Sequence, residues 1–332
     1  MDRPPSWNDV AQCYRLFLER DVEDASVALM QLAGAPALWD LIHRFAISTE
    51  AMRRRIHRAS GHISDMYDPS VVETEVSDAQ REELLERTLA RWERCGRGFA
   101  YDHLFRDPRL FDDRSARWNR EKRFEFGHEE LERLFVTARR NRVALKPDAS
   151  VLALGCDIAF LGAAVADRLG PFVGVEAGGA AFVQGCAALR ERGTQHAELL
   201  PLRSFLDTAI ERERTCDIFY SVMLLQHAPP PVSFMLLDTG LGHLNPGGYA
   251  YFQVPCHIYD YRFAADAYLS GFSEMDNSGE IHALPQAHIL RLLAHHGLVP
   301  IEVLPEPRLG PMGFSFTFFA RKRGRAAPDA GA

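Results

Sequence analysis

The feature that most constrains this chain is the change of pattern after residue 150. From there, short apolar and β-branched runs alternate with stretches of helical length, an order that builds a mainly parallel sheet with helices on both faces. Strands are predicted at Val151–Leu154, Phe172–Glu176, His196–Leu200, Asp217–Ser221 and Tyr249–Val254. Helices are predicted between and after them at Ala159–Leu169, Ala180–Arg192, Phe205–Glu213 and Val232–Leu244. The end breaks this rhythm. Pro285–His296 reads as a helix with proline near its first turn and Gly297 just past its end. Leu298–Leu304 and Phe314–Arg321 then read as a strand pair joined by a Pro- and Gly-rich loop.

The residues ahead of the sheet are helical in a different way. Val10, Tyr14, Phe17 and Leu18 share one face of a 3.6-residue period, and further helices are predicted around Ala25–Ala33 and Ala37–Ala46. The polar stretch from His62 to Val76, with Asp68-Pro69, marks a boundary. Ser77-Asp78-Ala79-Gln80 is a capping box opening a helix whose apolar contacts are Leu84, Leu85, Leu89 and Trp92, with Gly96 able to end it. Residues 97–118 are aromatic and charged without a clear period, as in a cap, and a long helix from about Gly127 to Arg142 leads into the first strand. The expected division is a helical module at 1–62, a linker and cap region at 63–118, a catalytic domain at 119–323 and a disordered tail at 324–332.

Charge and cysteine usage narrow the functions open to such a fold. A net charge of −7 argues against the nucleic-acid backbone as partner, and Arg53–Arg55 and Arg139–Arg140 read as solvated helix faces. Six cysteines lie far apart with no C-x-x-C pair, so no zinc or other metal site and no disulfide framework is expected. A reduced, cytoplasmic setting fits that usage. No stretch approaches the roughly 18 apolar residues of a membrane span, and no signal-peptide pattern opens the sequence.

The first strand runs into Leu154-Gly155-Cys156-Asp157, and Glu176 follows Gly155 by 21 positions at the end of the second strand. In a doubly wound sheet, ligands sit at the carboxyl ends of the strands, where a carboxylate ending the second strand accepts both hydroxyls of a ribose. This is the layout of a nucleoside site. A dinucleotide fingerprint would need further glycines to cradle pyrophosphate, but Cys156, Asp157, Ile158 and Ala159 follow Gly155, and glycine recurs only at Gly162. Asp157 would repel a pyrophosphate and tolerate a cationic sulfonium. It is equally suited to contacting a methionine moiety, capping the next helix or marking an altered site. A nicotinamide-dependent oxidoreductase is disfavoured by the missing cradle.

Taken together, Val151-Leu152-Ala153-Leu154-Gly155-Cys156, Val173-Gly174-Val175-Glu176, Cys216-Asp217-Ile218-Phe219-Tyr220-Ser221, Leu224-Leu225-Gln226-His227-Ala228-Pro229 and Leu244-Asn245-Pro246-Gly247-Gly248 resemble the ordered motifs of class I S-adenosylmethionine-dependent methyltransferases of the type 11/12 kind. The resemblance implies an α/β, doubly wound, Rossmann-like sheet of seven strands, the last antiparallel, behind an all-helical N-terminal module. It implies S-adenosylmethionine as cofactor, held by Leu154, Gly155, Cys156, Asp157, Glu176, Ala177, Ser221 and Gln226, and places His227 in the active-site loop. His227, with His257 as competitor, is therefore the expected general base. His295 and His296 read as surface residues that offset a helix dipole, and Trp118 and Phe126 as aromatics covering the cofactor or as ordinary packing. Asp157 and Ala159 stand where the family has glycines, and Leu199-Leu200-Pro201-Leu202 lacks an acidic residue often found there. A catalytically inactive methyltransferase-like binding or scaffold protein is accordingly the alternative reading. Tyr14-Arg15-Leu16-Phe17-Leu18-Glu19-Arg20, Glu23-Asp24, Phe45, Ser48, Glu50 and Arg54 resemble a small helical domain of bacterial surface proteins and glycan-biosynthesis enzymes, with Glu19 at a usual glycine position. By analogy, this implies O-methylation of a sugar or glycan-linked small molecule.

Overall fold

The computed structural model describes residues 3–18, 20–46, 48, 50–51, 71–95, 116–155, 158–176, 179–207, 214–259, 261–271, 280–307, 309 and 313–324. Two compact units emerge: Met1–Asp68 with Pro307–Gly313, and Pro69–Glu306 with Phe314–Ala332. In the first, helices α1 (Trp7–Leu18), α2 (Ala25–Ala33) and α3 (Leu38–Ala46) enclose a small core. Val10, Tyr14 and Leu18 of the predicted stripe are buried there, with Tyr14 edge-on to Phe45 at 5.0 Å. Asp24 caps α2, its carboxylate accepting the Ser26 and Val27 amides at 2.7 and 3.0 Å.

The larger unit contains the sheet. Its strands are β1 (Val151–Gly155), β2 (Phe172–Glu176), β3 (Ala197–Pro201), β4 (Cys216–Ser221), β5 (Leu244–Ile258), β6 (Leu298–Glu306) and β7 (Gly313–Lys322), in the spatial order β3-β2-β1-β4-β5-β7-β6. The pairs β1–β2, β1–β4, β2–β3 and β4–β5 are parallel, and β6–β7 is antiparallel. Its helices are α4 (Asp78–Cys95), α5 (Ala116–Arg140), α6 (Ile158–Arg168), α7 (Gly179–Glu191), α8 (Leu202–Asp207), α9 (Pro230–Gly242), α10 (Ala265–Ser270) and α11 (Gln286–His295).

Alternation along the strands supplies the two apolar faces such a sheet needs. Leu152, Leu154, Phe219, Phe252 and Phe318 point to one side, with Leu84, Leu85 and Trp92 of α4 and Leu236 of α9. Val151, Ala153, Ile218, Tyr220 and Phe319 point to the other, with Leu131 and Leu134 of α5 and Ala163 and Ala164 of α6. Gly127 lets α5 lie directly on α6, since a side chain there would overlap the backbone of Phe160.

Most predicted elements recur within a residue or two, and the differences have local causes. The Leu244–Gly248 motif is absorbed into β5, because Leu244 pairs with Cys216 before a register shift at Cys216/Ile218. The helix after β3 starts at Leu202 and is described as far as Asp207, the rest of its predicted span lying outside the described residues, and α10 was not predicted from the sequence. The predicted cap at 97–118 lies almost wholly outside the described residues, as does the side chain of Trp118.

Residues 71–95 are woven into this unit rather than strung before it. The Ser77 and Gln80 capping box forms as predicted, with the Gln80 amide donating to Ser77 Oγ at 3.3 Å and the Ser77 amide to Gln80 Oε1 at 3.0 Å. Upstream of it, Val72 bridges to Phe263, and the Glu73 and Phe263 amides donate to the carbonyls of Phe263 and Val71 at 3.0 Å each. Glu73 also accepts the Ala265 amide at 2.7 Å, and Thr74 bonds His288 at 3.0 Å. A chain beginning at Pro69 should therefore keep the full stability of the larger unit. A chain beginning at Ser77 should lose roughly 2–4 kcal/mol, from two backbone hydrogen bonds and the burial of Val72. Urea titration followed by tryptophan fluorescence compares the two, and equal midpoints would show that 69–76 contribute nothing.

Candidate active site

The strand order reverses at β1, which lies between β2 and β4, and this opens a crevice at the carboxyl edge of the sheet. Leu154 and Gly155 end β1, and Gly155 is in register with Glu176 at the end of β2. Ser221 ends β4, opposite Phe252 of β5, which runs on to carry His257. Five of the predicted site residues thus share one edge. Cys156, Asp157 and Ala177 lie outside the described residues.

Two polar groups on this edge are held away from water. Glu176 is 1% exposed, and its Oε2 accepts the amide of Ile158, the first residue of α6, at 3.3 Å. Its carboxylate is thereby anchored at the N-terminus of α6, a position that favours negative charge. Ser221 is fully buried, and its Oγ has no hydrogen-bond partner among the described residues. Buried hydroxyls are ordinarily paired, so this oxygen sits where a ligand group can complete it.

The loop after β4 is strained and tightly fastened. Met223 has φ 60°, a left-handed conformation unusual for a side chain of its size. Gln253 holds it, accepting the Met223 amide at 3.0 Å while donating to Gln226 Oε1 at 3.0 Å and to Ser315 Oγ at 2.6 Å. Gln226 in turn reaches His227, with 3.1 Å between the two Nε2 atoms. His227 is 4% exposed, and its Nδ1 lies 3.1 Å from the Glu280 carbonyl. A carbonyl only accepts, so Nδ1 carries the proton, and the Nε2 lone pair receives the Gln226 amide hydrogen. His227 therefore orders the loop, and its basic nitrogen is engaged. His257 is half-buried at the end of β5, edge-on to Tyr259 at 5.4 Å and stacked near Phe314 at 6.1 Å. His295 and His296 sit at the end of α11, where His296 bonds Asp238 at 2.7 Å.

This is the class I methyltransferase fold. The assignment rests on the sheet order, the antiparallel last pair and the crevice at β1. No protein-family model matches the sequence, and no curated protein matches it. Among solved structures, the chain is similar to magnesium protoporphyrin IX methyltransferase from Synechocystis PCC 6803 (11% identity, TM-score 0.47, covering 71% of this chain and 99% of that one). It is also similar to geranyl diphosphate C-methyltransferase from Streptomyces coelicolor (15% identity, TM-score 0.45, 71% and 98%). A third is 1,6-didemethyltoxoflavin-N1-methyltransferase from Burkholderia thailandensis (15% identity, TM-score 0.45, 76% and 92%).

Sequence reasoning missed the residues that α4 and the segment before α11 bring to this edge. Arg91 of α4 ion-pairs with Glu280 and donates to the carbonyl of His227. Glu93, one helical half-turn on, accepts the amide of Gly179 at the start of α7 at 2.7 Å. Glu280 Oε2 also accepts from Tyr268 at 2.8 Å and from His282 Nε2 at 3.2 Å. The only sequence signal for these groups was their polarity within apolar surroundings, since their partners are up to 189 residues away. Burial alone would raise the Glu280 pKa. The His282 hydrogen bond, the Arg91 charge and the Tyr268 hydroxyl outweigh it and hold this carboxyl down at about 2. A folded-state pKa below the unfolded one contributes stability above the ordinary carboxylate range, and that contribution is lost as pH falls towards 2. Glu280→Gln should destabilise the protein at pH 7, and the gap from the parent should shrink between about pH 4.5 and 2. Denaturant titrations at several pH values measure this gap, and one that does not change with pH would remove the ionised role of Glu280.

Proposed function

We propose that this chain is an S-adenosylmethionine-dependent methyltransferase acting on a hydroxyl of a small molecule. The observation that carries the reading is the pair of groups flanking β1: the buried Glu176 carboxylate at the end of β2 and, at the end of β4, the Ser221 hydroxyl, which has no partner among the described residues. These residues fit an adenosine-bearing cofactor. Glu176 would accept from the ribose hydroxyls, Gly155 lets the backbone approach, and Ser221 and Gln226 line the side towards the methionine portion. The cofactor, when bound, supplies an electrophilic methyl group on a sulfonium. The protein's work is then alignment for in-line displacement and, for a hydroxyl acceptor, removal of one proton.

The committed hydrogen bonds of His227 make it a positioning residue in this reading, so the base comes from another histidine of the same edge. We favour a sugar or glycan-linked acceptor on the resemblance of the N-terminal helices, an argument by analogy. The unpaired thiols of Cys13, Cys186, Cys216 and Cys256, with Cys216 pushed up to about 12 by burial, accord with a reducing, cytoplasmic setting. A non-catalytic binding protein is the second reading. The near-complete burial of Glu176 and its existing bond to Ile158 favour it.

Calorimetry with S-adenosylmethionine, S-adenosylhomocysteine and NAD separates these readings. The parent should bind the first two and not NAD. Glu176→Ala should weaken binding by roughly 30- to 1,000-fold, or about 2–4 kcal/mol, for the loss of charge-assisted ribose hydrogen bonds. A parent that binds neither sulfur nucleoside would sink the enzyme reading. Unchanged affinity in the variant would remove only the role given to Glu176.

A further inference from the structure

The segment from Glu280 to Leu284 lies along the loop edge of β4 and β5. The His282 amide donates to the Gln226 carbonyl at 2.8 Å, and the Leu284 amide to the Pro255 carbonyl at 2.9 Å. This places the His282 ring beside the loop that carries Gln226 and His227. Its hydrogen bonds form a chain. Nε2 lies 3.2 Å from Glu280 Oε2, and Nδ1 lies 2.7 Å from the Tyr261 hydroxyl. An ionised carboxylate only accepts, so Nε2 carries the ring proton, and Nδ1 is the lone pair that receives the Tyr261 O–H. A carboxylate orients a neutral imidazole, and the imidazole's free nitrogen faces an O–H: this is the arrangement of an activated proton acceptor.

We propose that Tyr261, His282 and Glu280 form the proton relay of this site, with His282 as the terminal base and Tyr261 as the group that meets the acceptor hydroxyl. The proposal rests on the methyltransferase reading and deepens it. As the acceptor oxygen bonds the methyl carbon and the carbon–sulfur bond breaks, the acceptor proton passes to the Tyr261 oxygen. The Tyr261 proton moves to His282 Nδ1 in the same step, which leaves an imidazolium against the Glu280 carboxylate and a neutral thioether. Tyr261 and Glu280 are half-buried, whereas His282 between them is only 6% exposed.

The surroundings set the charges for this role. Arg91 from α4 and Tyr268 from α10 hold Glu280 ionised, and His227 Nδ1 fixes the Glu280 backbone. Burial first, and then the Arg91 charge, lower the His282 pKa against the pull of Glu280, so the ring is neutral and able to accept. Burial raises the Tyr261 phenol well above its ordinary value, so it remains a proton donor to His282. Phe263 and Tyr268 meet the His282 ring edge-on at 5.8 and 5.9 Å and keep water from it.

Nitrogen-15 NMR of histidine-labelled full-length protein tests the relay without any acceptor. His282, assigned with His282→Asn, should be neutral at pH 7 and protonated at Nε2, and its Nδ1 resonance should move in Tyr261→Phe. A proton on Nδ1, or a charged ring at pH 7, overturns the proposal. In turnover, followed as S-adenosylhomocysteine release with phenol as the probe hydroxyl, both variants should fall by about 10²–10⁴-fold. Their calorimetric affinity for S-adenosylhomocysteine should stay within about twofold of the parent, as a base in this role requires. The parent rate should rise with pH through one step that His282→Asn abolishes. Near-parental turnover in Tyr261→Phe, which keeps the ring packing, also overturns the relay. A parent that binds no sulfur nucleoside overturns the methyltransferase reading instead, whereas the wrong tautomer in a protein that does bind one overturns the relay alone.

Discussion

The structure of the larger unit depends on β1 being paired on both sides. Every residue from Val151 to Gly155 is buried, and the strand is hydrogen-bonded to β2 on one side and β4 on the other. A parallel strand buried on both faces needs helices above and below it, which fixes α6 and α5 on one side and α4 and α9 on the other. Because the strand order reverses at β1, a crevice opens at the carboxyl ends of β1 and β4. The crevice is a consequence of that topology rather than of any one residue. What the residues add is charge and hydrogen bonding at its rim.

That rim is unusually polar for a buried region. Gln226, His227, Gln253, His282 and Ser315 are all at least nine-tenths buried, and each has partners that satisfy it. Such a network is costly when incomplete and rigid when complete, because an unpaired polar group in a low-dielectric interior loses its hydration without replacement. The strained Met223 turn is held inside it by Gln253, a residue that reaches across from the neighbouring strand. Here the side chains of β5 determine the shape of the loop after β4, and α4 fastens the other side through Arg91. Ser221 is the exception in this network, a fully buried hydroxyl without a partner among the described residues, at the place where the crevice begins.

The N-terminal unit is simpler in its physics. Its core is a single set of aliphatic and aromatic side chains from helices of 9 to 12 residues, lengths at which isolated helices are marginal and tertiary packing supplies the stability. The Arg20 guanidinium bridges Glu50 at 2.9 Å and lies 4.8 Å from the Tyr14 ring centroid, tying α1 to the residues beyond α3. Arg20, Glu50 and Phe45 are among the residues that carry the resemblance to the small helical domain, so part of that pattern records packing.

Local periodicity was enough to read the strands of the sheet, the capping box at Ser77 and the placement of Gly155 and Glu176 at strand ends. These depend on spacings of two to four residues and on turn chemistry, which a linear chain displays directly. The sequence placed His227 just beyond β4, but did not show that its lone pair is taken by Gln226. Tautomer and hydrogen-bond partner are properties of neighbours in space. Arg91 and Glu280 are separated by 189 positions in the chain, Tyr261 and His282 lie near the far end of that span, and nothing in their local sequence marks them as partners. Their meeting required α4 to pack against the sheet and the Glu280–Leu284 segment to pair with the ends of β4 and β5. The sequence alone determined which segments become strands and helices, because that choice is local. Only the tertiary structure decided which polar side chains share a buried site, because a buried charge is tolerated only where folding brings distant partners to it.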